Sequence, residues 1–259
     1  MRRWRWLKNH WSELLIGAGI LLVSMGLRWR YLALNPMLDR DSALYCHIAT
    51  IWANTGDFKC AFREHIGGTA PLYIYLLKLG AQCGIPVIIW GRILSYCFSG
   101  GFVIAFYLLG KQLFPGRRDG ALICMFLAGM HPVIGRWSVG LLREGPFLML
   151  AAFAMVVFMR AFKSGESRDA AWCGVLLGAA AMTRQEAAEL LVLGLIALMP
   201  WRARGLNNAG KSIFVRMRQP LFMLLGVMSA VILILAVTGI PLSFLMHQYL
   251  SKLDKIRLQ

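Results

Sequence analysis

Acidic residues are scarce in this chain: 12 Asp and Glu stand against 28 Lys and Arg in 259 residues, and charged residues of both signs make up only 15%. So thin a polar share excludes a soluble globular domain, whose surface needs more charge than this. The six cysteines, Cys46, Cys60, Cys83, Cys97, Cys124 and Cys173, form no CxxC pair and no metal-ligand spacing, so they read as small core residues. There is no internal repeat, no low-complexity tract and no glycine motif of the kind that cradles nucleotide phosphates. The net charge of +16 would fit a nucleic-acid partner, but no basic-aromatic module accompanies it, and none is expected.

What the chain does have is apolar residues, 58% of it, with a mean hydropathy of +0.60. That is more apolar surface than one soluble core of this length can hide, and the excess must face lipid. A membrane helix needs about 20 mostly apolar residues. Candidate spans are 11–27, 86–114, 120–133, 145–159, 170–182, 187–200 and 220–237, with 71–79 too short to cross and read as partly embedded. The expected fold is all-α: a single membrane domain over 1–259, a polytopic transmembrane bundle of about seven spans. The basic start Met1-Arg2-Arg3 resembles a signal peptide, but no small-residue cleavage site follows, so the first apolar run reads as an uncleaved span.

Lys and Arg gather in the segments 1–8, 111–118, 160–168 and 201–218, which hold four, three, three and five of them. Basic residues mark cytoplasmic loops. One topology satisfies all four segments, with the N-terminus cytoplasmic and 28–85, 131–144 and the turn at Arg184 outside. The first of these is long for a helix connection, and long loops carry function. Within it Asp41-Ser42 heads an amphipathic stretch, 43–53, closed by Asn54-Thr55-Gly56, which predicts an interfacial helix. Cys46 and Cys60 both fall in this loop, where a disulfide between them is one expectation to test.

Three clusters could carry chemistry. Asp39-Arg40-Asp41 sets two carboxylates just before the helix, suited to a general base or a divalent cation; the plainer account is that Asp41 caps the helix and Asp39 is solvated. His131-Pro132, Arg136-Trp137-Ser138 and Leu142-Arg143-Glu144 lead into a span on the same face, where an interfacial anchor is the plain alternative. Thr183-Arg184-Gln185-Glu186 lies between two apolar runs, either as a tight external turn or as a functional charge pair, and Arg92 adds a fourth outer cation. His47 and His65 lie in the long loop with no second His at helical spacing. Outer carboxylates with outer arginines describe a site for an anionic, membrane-bound substrate, because arginine recognises phosphate oxygens by paired hydrogen bonds.

The motifs Asp41-Ser42 with Tyr45 and Ala49, then Gly56-Asp57, then Ala70-Pro71-Leu72-Tyr73, resemble in order and spacing the first external loop of the GT-C membrane glycosyltransferases, in particular the dolichyl-phosphate-mannose protein mannosyltransferase and aminoarabinose transferase group. Gly91-Arg92-Ile93-Leu94-Ser95, Arg143-Glu144-Gly145-Pro146 and Met182-Thr183-Arg184-Gln185-Glu186 are similar to later elements of that family. The resemblance implies inverting transfer of a sugar from a polyprenyl-phosphate donor to a glycan, lipid or protein acceptor, at the outer face of a bacterial inner membrane. It implies Asp41 as the leading catalytic group with Asp39 and Glu144, and Tyr45, His65, Arg92, Arg143 and Arg184 as substrate-binding residues. Relatives continue through further spans, so the chain is expected to lack their C-terminal part. Two other readings stay open. A transporter or flippase for a lipid-linked anion would need charges at midplane depth. A non-catalytic family member would fit Ser42, where the family often has Glu, and Ala70, where it has proline.

Overall fold

The computed structural model describes residues 2–34, 38–62, 70–198 and 213–244. Among them the protein is helical throughout, with no strand. The helices are α1 (Arg2–Leu34), α2 (Arg40–Thr55), α3 (Phe58–Phe62), α4 (Pro71–Gln82), α5 (Val87–Leu113), α6 (Arg118–Met130), α7 (Pro132–Val139), α8 (Glu144–Ser164), α9 (Ser167–Ala181), α10 (Ala187–Leu198) and α11 (Ile213–Thr238).

Four helices are long and apolar enough to cross a bilayer: Trp11–Leu34 of α1, Val87–Leu113, Glu144–Ser164 and Met217–Thr238 of α11. At 1.5 Å per residue, the 21 residues of α8 reach about 31 Å, the thickness of a hydrocarbon core. The other three expected spans are shorter. α6 has 13 residues and stops at His131-Pro132, because a proline cannot continue the hydrogen-bond ladder of the helix before it. The chain restarts there as α7, with His131 Nδ1 accepting the Ile134 N–H at 3.3 Å. α9 has 15 residues and α10 has 12. Large apolar side chains such as Leu22, Leu127, Leu193 and Leu233 stand on the outside of the bundle, as lipid-facing surfaces require.

Short turns reverse the chain between α5 and α6, α8 and α9, and α9 and α10, so the bundle has two distinct ends. At one end Glu13 pairs with Lys111, and Arg160 with Asp169 at 3.8 Å. The other end carries the cap formed by α2, α3 and α4. Its core is Tyr45, Ile48, Trp52, Phe58, Phe62, Tyr73 and Leu77, joined by Ile240 from beyond α11. Cys46 is buried in this cap and Cys60 is exposed on α3; both thiols are free, so no disulfide staples the loop.

α9 and α11 touch most closely of all. Gly174 and Gly178 of α9 are four apart on one face, and a Cβ on Gly174 would overlap the Met223 carbonyl of α11. Gly226 of α11 meets the Ala171 carbonyl in the same way. Small residues let membrane helices approach backbone to backbone, which is the main source of attraction where lipid is as apolar as the side chains.

Candidate functional site

α2 begins where the sequence places it. Gly56 closes it at φ +68, a left-handed C-cap that favours glycine, and its N–H bonds the Trp52 carbonyl. Asp39 occupies the N-cap position and Asp41 the first turn, yet neither caps the helix, for the N-cap makes no side-chain hydrogen bond. Among the described residues neither carboxylate has a hydrogen-bond or ion-pair partner, and both are exposed. The capping account of the Asp pair therefore fails, and the two carboxylates are available to a ligand. Burying the opposite face of α2 (Tyr45, Ile48, Ala49, Trp52) in the cap is what points them outward.

They face a cleft of about 430 Å³ lined by Asp39, Arg40, Asp41, Trp137, Leu142, Glu144 and Arg184. Its far wall is the turn between α9 and α10. Thr183 is buried and donates to the Ala180 carbonyl at 2.6 Å, and the Leu72 N–H of α4 bonds the Met182 carbonyl at 3.2 Å, so the turn is tied to the cap. From it Arg184 reaches Glu144 Oε1 at 3.1 Å and Glu186 Oε1 at 2.9 Å. The bond to Glu186, above all, raises the Arg184 pKa, and Arg184 in turn lowers that of Glu186, so this pair stays charged near neutral pH. Arg184 Nε and Glu144 Oε2 are left without hydrogen-bond partners. The cleft thus sets a guanidinium held by two carboxylates opposite two unpaired carboxylates, with buried Nε of Arg184 and buried Oε2 of Glu144 left unsatisfied.

Of the residues singled out from sequence, the structure brings Asp39, Asp41, Glu144 and Arg184 together in this cleft. Arg143 precedes α8 at its rim, half-buried, and is within electrostatic reach of the Tyr45 hydroxyl. Tyr45 itself lies beneath the cleft floor, 3% exposed and packed edge-on against Tyr73 at 5.9 Å. Burial pushes its pKa up to about 12, against the pull of Arg143. Arg92 sits on α5 on the side of Tyr96 and does not line the cleft. His65 lies outside the described residues. No group of three His, Cys, Asp or Glu among the described residues is arranged to hold a metal ion.

Sequence reasoning placed Trp137 in a cluster but gave it no part; it forms a wall of the cleft, 47% exposed. Arg28 was missed altogether. It is 1% exposed inside α1, where it donates to the Gly129 carbonyl at 2.7 Å and to the Ser24 hydroxyl, pinning α1 to the end of α6. Its position directly after the apolar run 11–27, near Arg30, reads as an ordinary end of a span, which is why it escaped notice.

Below the cleft, α8, α9, α10 and α11 form an apolar groove of about 220 Å³, open on its outer side, whose lining includes Ala151, Met155 and Phe158 of α8 and Leu190 and Leu193 of α10. Ala151 is seven residues on from Glu144, on the same face of α8 and about 10 Å along its axis.

Among curated proteins none matches the chain. The family described as dolichyl-phosphate-mannose-protein mannosyltransferase matches residues 68–238, about two thirds of the chain, taking in Arg92, Arg143, Glu144 and Arg184 and leaving the Asp39–Asp41 pair outside. Together with an all-helical architecture carrying four apolar helices of membrane-crossing length, that match makes the chain a member of the dolichyl-phosphate-mannose-protein mannosyltransferase family, a GT-C membrane glycosyltransferase.

Proposed function

We propose that the protein transfers a sugar from a polyprenyl-phosphate donor to an acceptor hydroxyl at the outer face of the cell membrane, with inversion at the anomeric carbon and Asp41 as the base. The observation that carries this reading is the single cleft holding unpaired Asp39 and Asp41 on one wall and an oriented Arg184 on the other. An inverting displacement needs a base opposite a leaving group whose charge is neutralised. Asp41 removes the acceptor hydroxyl proton as that oxygen attacks the anomeric carbon. The bond from that carbon to the phosphate oxygen breaks on the far side, and the charge left on the lipid phosphate meets the Arg184 guanidinium, with Arg143 adding to the field. Glu144 holds the guanidinium in place through Oε1. The apolar groove below suits the first isoprene units of the donor. The outer face is supported by the Lys and Arg gathered at 111–118 and 160–168, at the end of the bundle away from the cleft.

The test is transfer of radiolabelled sugar from polyprenyl-phosphate donors in membranes containing the protein, with the product's anomeric configuration read by α- and β-specific glycosidases. Label in a product of inverted configuration is expected. A retained configuration would overturn the single-displacement chemistry, and no transfer from any donor would overturn the activity.

A further inference from the structure

At the opposite end of the bundle, α1, α5 and α6 leave a narrow crevice of about 160 Å³ that the transfer chemistry does not use. Its walls are apolar, among them Leu14, Gly17, Leu21, Ile104 and Met125, and its mouth holds Glu13 and Tyr107. Glu13 is only 3% exposed. Its Oε1 accepts from the Tyr107 hydroxyl at 2.7 Å and pairs with Lys111. Its Oε2 is buried without a hydrogen-bond partner, with Arg118 Nε 3.9 Å away. Glu13 lines this crevice, and a buried carboxylate oxygen left without a donor costs free energy that a donor would recover, most of all a charged one.

We propose that this crevice is a binding site for a phospholipid whose headgroup carries a primary amine. The ammonium donates to Glu13 Oε2, the phosphate lies against exposed Arg117 and Arg118 at the start of α6, and one acyl chain runs between α1 and α5. The dimensions agree. Glu13 lies two residues inside the apolar stretch that begins at Trp11, which is headgroup depth, and from Glu13 to Leu21 the groove follows α1 for about 12 Å, room for some ten methylenes. Gly17 keeps the groove open, for even an added Cβ there meets nothing closer than 3.8 Å. Such a lipid would clamp α1 to α5 and α6 at the basic end, as Arg28 does at the other. The site is independent of the transfer reaction.

The protein is purified in detergent and its thermal unfolding followed with phosphatidylethanolamine, phosphatidylcholine or phosphatidylglycerol of the same acyl chains. Phosphatidylethanolamine is expected to raise Tm by about 3–5 °C. Phosphatidylcholine, whose methylated nitrogen has no N–H, is expected to do much less. Glu13→Gln keeps an acceptor for Tyr107 and Lys111 but loses the charge, and Gly17→Leu fills the groove; each is expected to abolish the preference. Equal stabilisation by phosphatidylcholine or phosphatidylglycerol would overturn the proposal, as would an undiminished preference in both variants.

Discussion

Arg184 shows how much one side chain can be asked to do. Two of its nitrogens hold Glu144 and Glu186 across the cleft wall, and the planar guanidinium they orient faces the carboxylates of α2. Lysine keeps the charge but is a single ammonium without the planar fork, so it cannot span both carboxylates in the geometry that the guanidinium holds. Arg184→Lys is therefore expected to lower kcat for transfer about 10²-fold with little change in Tm, measured on purified protein. A drop no greater than twofold would remove Arg184 from the leaving-group role. Tyr45 makes a different prediction. Its hydroxyl is held neutral by burial, its pKa rising from 10.0 to about 12. A group whose neutral form the fold favours contributes stability in full below its unfolded value, and loses it as pH rises through the window from 10.0 to about 12. Thermal unfolding of Tyr45→Phe should consequently fall off less steeply across that window than that of the parent protein. Equal slopes would show that the phenol is not the group being strained.

At the level of helices, the bundle depends on the glycine faces of α9 and α11. Gly174→Leu drives a side chain onto the Met223 backbone, which cannot yield as a side chain could, and is expected to destabilise the fold by about 1–3 kcal/mol in a detergent unfolding assay. Gly19, with nothing within 4 Å of an added Cβ, is the control: Gly19→Ala should be neutral or mildly stabilising. A Gly174→Leu protein as stable as the control would contradict the close packing. Much of this level was legible from sequence, because each helix announces itself locally. Asp41-Ser42 and Gly56 bounded α2 to within a residue or two, and Pro71 opened α4. The failures are equally physical. Hydropathy over 120–133 ran straight through His131-Pro132, although the proline ends α6 there, and apolar composition alone did not distinguish the four helices that reach across a bilayer from the three that are shorter. The glycine contacts depend on which helices meet, which no local pattern states.

For the whole molecule, the charge count sorts loops to two faces, and among the described residues the Glu13–Lys111 and Arg160–Asp169 pairs lie at the end of the bundle away from the α2–α4 cap. What the count could not supply was distance. Asp41 and Arg184 are far apart in sequence, and that they share one cleft, while Arg92 does not line it and Tyr45 lies beneath it, is a result of how the cap docks on α5 and on the α9–α10 turn. The proposed orientation can be read from native thiols, since Cys60 and Cys83 are both exposed near the cap. A membrane-impermeant maleimide is expected to label them in intact cells, and to label an introduced Ser164→Cys only after permeabilisation. The reverse pattern would place the cleft on the cytoplasmic side.

The central claim is that the cleft at Asp41 is where sugar transfer occurs, and the most direct measurement is transfer of labelled sugar from a polyprenyl-phosphate donor by the parent protein and by Asp41→Asn at equal expression and equal Tm. Asparagine keeps the size of the side chain and removes its basicity, so the account predicts that the parent incorporates label and that the variant loses at least about 10²-fold in rate. Incorporation unchanged in Asp41→Asn would contradict it.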